Sequence, residues 1–167
     1  MNEWITLASA AAPIIAVIVA VTFGTLTLVQ WKRTRFLSAA AELVHTMQAT
    51  DFSKSIAVLM ELPEDAAPAL VLANERNLAA LYVVSHMFET LGVLVYHRLL
   101  PLHLVDHLVG GYVRASWRRV RLAIEARRSA FGATFGEWYQ WLYERLEQYP
   151  APGKKDGAPK AFPTWKP

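Results

Sequence analysis

Three groupings of side chains have types and spacings that could do chemistry. His103 and His107 lie four residues apart around Asp106, so on a helix both imidazoles face one way, as metal ligands do. A site of that kind needs a further ligand in a defined place, and histidines on a helix surface beside a proline are far commoner. His86 and Glu89, three apart, carry the spacing of carboxylate-bridged metal sites in inverted order, but such sites pair the motif on facing helices and here it occurs once. No metal or other cofactor is expected. Ser85 and Ser116 have no neighbouring base to activate them, and there is no glycine-rich phosphate loop, nucleophile elbow or paired-carboxylate cleft. The chain is not expected to be an enzyme.

The third grouping is a stripe of arginines. Arg114, Arg118, Arg121 and Arg128, with Glu125 among them, recur at helical steps about a quarter-turn from the apolar stripe Val113, Trp117, Val120 and Ile124. Anionic lipid headgroups attract such bases by about 1 kcal/mol each near the surface. Nucleic-acid recognition adds aromatic or polar base readers among the bases, and this face has none, so no nucleic-acid partner is expected. The favoured reading is internal pairing. Residues 42–106 carry a net −5, residues 110–130 a net +5 and residues 32–35 a net +3, an asymmetry that fits complementary helix packing. Cysteine is absent, which excludes disulfides and thiolate chemistry.

These residues have to be positioned by something, and the strongest signal for that is the beginning of the chain. From Trp4 to Gln30 no residue is charged and most are Ile, Val, Leu, Ala or Phe. As a helix, ~27 residues reach ~40 Å, more than the ~30 Å of bilayer hydrocarbon. Trp4 and Trp31 stand near the headgroup levels, and Lys32, Arg33 and Arg35 form a basic collar just beyond. The order is the reverse of a cleaved signal peptide, whose bases precede a shorter apolar run. The expectation is an uncleaved single-pass anchor with its N-terminus out and its C-terminal part in the cytoplasm. Ala8, Ala12, Ala16, Ala20 and Gly24 recur every four residues along it. Such a small-residue stripe lets two helices approach closely, so a second copy or another membrane protein is the expected partner of the span, alongside the bilayer itself.

Beyond the collar the chain reads as helices only. An amphipathic stripe runs through Phe36, Leu37, Ala40, Leu43, Val44 and Met47. Thr50-Asp51 offers a cap for a short helix over Phe52, Ile56, Leu59 and Met60, ended by Pro63, and Pro68 opens the next. From Ala69 to Leu100 the chain is apolar on every side, which marks either the centre of a bundle or a second span over residues 77–97. Glu89 in its middle opposes the second-span reading, because a mid-span acid costs about 2.5–3.5 kcal/mol and the flanks on both sides are basic. Glu89 is instead expected to be a buried charge inside the bundle, paired with an arginine of the 112–131 helix. Pro101 to Val109 suits a short helix broken by Gly110-Gly111, with the next helix running from Tyr112 to Phe131. Thr134 is placed to cap a last helix with Phe135, Trp138, Leu142, Leu146 and Tyr149 inward. The expected organisation is all-α: a transmembrane anchor over 1–35, a small helical bundle over 36–149, and a Pro- and Lys-rich disordered tail over 150–167.

Residues 70–147 carry Phe88-Glu89, an apolar half-turn and Arg98, then Trp117 in an arginine-bearing helix, and finally Trp141-Leu142-Tyr143-Glu144-Arg145-Leu146. In that order the segment resembles the bacterial domain of unknown function 4760 family, with Gln140 where the family pattern has an acid. The resemblance implies one N-terminal span and a small cytosolic helical domain at the bacterial inner (cytoplasmic) membrane, and it implies no activity. Two functions are consistent with the residues. The leading one is a membrane-anchored interaction or assembly protein. The other is a membrane-associated effector or sensor that holds a small ligand between helices.

Overall fold

The computed structural model describes Val17, Val19–Leu28, Gln30, Trp31, Thr34, Ser38, Ala41, His45, residues 49–151, Gly157, Lys160, Pro163 and Thr164. It divides into two units, Met1–Ala41 and Glu42–Pro167. Within the first, Val19–Leu28 is helical (α1), and Val19, Val21, Phe23, Leu26 and Leu28 are each more than half exposed. Ala8, Ala12 and Ala16, all of the stripe Phe36, Leu37, Ala40, Leu43, Val44 and Met47, and most of the tail lie outside the described residues.

Among those residues there is no strand, and the second unit is built from five helices: α2 (Thr50–Met60), α3 (Pro68–Leu72), α4 (Glu75–Tyr96), α5 (Leu102–Phe131) and α6 (Glu137–Gln148). The all-helical reading therefore holds. Among the described residues α4 is the helix long and apolar enough to cross a membrane, and the described stretch of α1, Val19–Leu28, is shorter. Here α4 forms the centre of the bundle, with α2 and α6 as its principal neighbours and α3 and α5 completing its surroundings. Partners on several sides account for a helix with no polar face.

The core obeys the helical spacing of the apolar residues. On α2 Phe52, Ile56 and Leu59 are buried, and on α5 Val113, Trp117, Val120 and Ile124 are buried as expected. An aromatic chain joins four helices: Phe52 on α2 meets Phe88 on α4 edge-on at 5.8 Å, Phe88 meets Tyr139 on α6 at 5.0 Å, and Tyr139 meets Trp117 on α5 at 4.9 Å. Pairs of this geometry add about 0.5–1.5 kcal/mol each beyond the area they bury. At Gly92 the backbones of α4 and α6 approach closely, since a Cβ there would strike the Trp138 carbonyl.

Several boundaries differ from the sequence expectation. The continuous helix from Ala69 is interrupted, because the Asn74 carboxamide caps α4 by accepting from the Asn77 N–H at 3.1 Å, while the Asn77 side chain donates back to the Leu70 carbonyl at 3.0 Å. Thr50 and Asp51 do not cap α2: Ala49 holds the cap position without a side-chain bond, and Asp51 lies in the first turn, favourable for the helix dipole. The expected break at Gly110-Gly111 is absent, and α5 runs unbroken for 30 residues. Thr134 does not cap α6. Gly136 does, at φ 72°, a left-handed conformation that glycine adopts without steric cost; a Cβ there would also run into Ile124. With the helix starting after Gly136, Phe135 falls outside it, Tyr149 is exposed, and the buried face is Tyr139, Leu142 and Leu146.

Candidate functional site

The arginine stripe on α5 is organised by what lies opposite each residue. Arg121 Nε donates to Asp65 Oδ1 at 2.7 Å, and Arg118 approaches Glu64 at 3.5 Å. Arg119, outside the expected stripe, donates from Nε to the Leu62 carbonyl at 2.9 Å, and the Asp65 N–H donates to the Arg118 carbonyl at 2.8 Å. Together these bonds fasten the loop between α2 and α3 along α5, with Asp65 held at φ 54°. The bond from Arg121 holds the Asp65 carboxyl below its ordinary pKa and raises that of Arg121 in turn. Both side chains are well exposed, so the pair contributes orientation more than stability.

Arg114 does something different. Its Nη1 reaches Asp106, two helical turns away, at 2.6 Å; its Nε donates to Glu147 at 2.7 Å, and its Nη2 to the Leu146 carbonyl at 2.7 Å. Asp106 is fully buried and also accepts the Ala151 N–H at 2.7 Å. Burial works against the Arg114 charge, but the bonds to Asp106 and Glu147 outweigh it and its pKa is raised. The ion pair passes over Gly110, where a Cβ would collide with both Asp106 Oδ1 and Arg114 Nη1. This is why Gly110 sits inside the helix. Asp106 is thereby turned away from His103 and His107, which are exposed, so the three do not converge.

Arg128, the last of the stripe, donates to the Phe135 carbonyl at 2.9 Å and to Gln140 Oε1 at 2.8 Å. The internal pairing expected from the charge distribution is thus present for Arg114, Arg118 and Arg121, while Arg128 takes neutral acceptors instead. From the small-residue stripe, Ala20 and Gly24 are described; both are exposed, and a Cβ on Gly24 would meet nothing.

Glu89 does not meet an arginine side chain. It is half-buried, and its Oε1 accepts the Tyr139 N–H at 3.0 Å, with the Trp138 N–H as a second backbone donor. Gly136 has no side chain to cap α6, so the carboxylate of Glu89, reaching over from α4, takes that role. Burial nevertheless pushes its pKa up; the two N–H groups and Arg128 pull it down, and Glu137 adds to the rise.

Beside this cap lies a groove of about 480 Å³ lined by Tyr82, Ser85, His86, Glu89, Thr134, Phe135 and Gly136. Ser85 is 4% exposed and its Oγ has no hydrogen-bond partner. His86 and Glu89, singled out by their spacing, do share this groove. Ser116, by contrast, is sealed in the core, where its hydroxyl bonds the Tyr112 carbonyl at 2.6 Å and the Tyr139 hydroxyl. Burial raises the Tyr139 pKa well above that of an ordinary phenol. A sequence reading misses Tyr139 because its partner Ser116 lies 23 residues away, and it sets Asp106 beside two histidines, whereas the carboxylate takes Arg114, eight residues on, and the Ala151 N–H, 45 residues on.

No family profile, curated protein or solved structure matches this chain.

Proposed function

We propose that the protein is a single-pass anchored helical module of the bacterial inner (cytoplasmic) membrane, N-terminus out, whose cytoplasmic bundle serves interaction or assembly. One observation supports this most: in α1 the apolar side chains Val19, Val21, Phe23, Leu26 and Leu28 all face outward, Phe23 at 72% exposure. An apolar helix exposed all round is costly in water and favourable in hydrocarbon. The uncharged run from Trp4 to Gln30 and the collar of Lys32, Arg33 and Arg35 fit the same reading.

The bilayer is then the first partner, and a second copy or another membrane protein docks along Ala8, Ala12, Ala16, Ala20 and Gly24. Anionic headgroups are the partners of the collar and of the exposed Arg118 edge of the stripe, where they compete with the internal carboxylates.

The test is a pair of fusions after Pro167 in bacterial cells. A reporter active only outside the cytoplasm should be silent, one that matures inside should be bright, and the protein should stay with the membrane pellet at alkaline pH. Release from the pellet, or strong activity of the external reporter, overturns the proposal.

A further inference from the structure

We propose that the groove between α4 and the turn preceding α6 binds a small primary organic ammonium ion, held by the Glu89 carboxylate and the Ser85 hydroxyl against the rings of Tyr82 and Phe135. Four observations converge on that chemistry. A half-buried carboxylate lines the groove and accepts from two backbone N–H groups, which leaves acceptor capacity for a donor from the groove side. The Ser85 Oγ, on the same wall one helical turn before Glu89, is buried and unpartnered. Such an atom is normally paired, so a ligand donor is a fitting partner. The rings of Tyr82 and Phe135 stand edge-on at 6.2 Å between centroids and form an aromatic wall against which the alkyl part of such a ligand packs, the Arg127 guanidinium already lying over Tyr82 at 5.7 Å. Finally, burial holds the Glu89 carboxyl above its ordinary pKa, so its charge is incompletely compensated and a cation beside it is favoured.

The competing choice is an anion recruited by Arg127, whose Nε is buried and unpartnered. Arg127 does not line the groove, and its guanidinium lies over Tyr82 at 5.7 Å and over Phe131 at 5.2 Å. An anion in the groove would face Glu89 first, which leaves the ammonium as the fitting ligand. The site is independent of whether the chain is membrane-anchored, so its test and that of the anchor can fail separately.

The experiment is a saturation-transfer NMR titration of the full chain in nonionic detergent micelles free of aminolipid, at pH 7, with empty micelles as blank. The probes are n-butylammonium, 1-butanol and butyrate, matched in length and differing in charge. Butylammonium should bind at least about tenfold more tightly than the other two. Glu89→Gln, which keeps an acceptor for the Tyr139 N–H, should remove that preference, and Ser85→Ala should weaken butylammonium several-fold. Tyr82→Leu, which leaves the α6 cap intact, should do likewise and stands in if Glu89→Gln fails to fold by circular dichroism. Equal affinity for the three probes, absence of binding, preference for butyrate, or unchanged binding in folded variants overturns the proposal.

Discussion

Glu89 is one carboxylate with two opposing demands on it. As a cap it benefits from negative charge at the start of α6; as a half-buried group it is penalised for that charge. The raised pKa means that burial wins. The folded state holds the proton more tightly than the unfolded chain, so this group's contribution to stability is fullest below the ordinary value of 4.5 and declines as pH rises through the folded pKa. Glu89→Gln, neutral at all pH, should therefore match the wild type in acid and equal or exceed it at pH 7 in chemical denaturation. Glu89→Ala, which leaves the Tyr139 and Trp138 N–H groups without their acceptor, should be less stable than Gln by ~1–2 kcal/mol, the usual worth of a cap. If the wild type instead gains on Gln as pH rises, the cap outweighs burial.

At the scale of the helix, Gly110 and Gly111 are neighbours with opposite consequences. Alanine is favoured over glycine inside a helix by about 1 kcal/mol, and nothing stands within 4 Å of a Cβ on Gly111, so Gly111→Ala should stabilise by up to that amount. Gly110→Ala drives a methyl into the Asp106–Arg114 pair and should destabilise by ~1–3 kcal/mol despite the same propensity gain. Thermal melts of the two variants should shift in opposite directions; a shared direction would show that the pair moves aside freely. The contrast also marks how far the sequence can be read. Periodicity reports which face of a helix is buried, so Val113, Trp117, Val120 and Ile124 are legible from spacing alone. It cannot report that a glycine is there to let a salt bridge pass, because Arg114 and Asp106 are two turns apart and glycine pairs are ordinarily breaks. Asn74 is legible in principle as a cap, but the apolar residues on either side of it read as one helix. Glu89 is legible as a charge needing a partner; that the partner is backbone on α6, 50 residues on, is not.

For the whole molecule, the core of the second unit is made from its own residues: Phe52, Phe88, Trp117 and Tyr139 meet one another, and the acids of the α2–α3 loop meet the arginines of α5. A fragment from Glu42 to Pro167 should accordingly be soluble without detergent and melt in a single cooperative transition. A fragment recovered only in membranes or aggregates would assign the apolar length of α4 to the bilayer instead. The way α6 is fastened has a consequence for how the chain comes off the ribosome. One end of α6 is gripped by Glu89 and the other by Arg114, and Tyr139 between them fills the space against Phe88 and Trp117. α6 is synthesised after the helices it closes, so until it emerges the nascent bundle presents an open aromatic seam, with Glu89 lacking its N–H donors and Arg114 holding Asp106 but neither of its acceptors on α6. A chain whose translation stops short of Tyr139 exposes a sticky, chaperone-attracting surface, and only completed synthesis hides it.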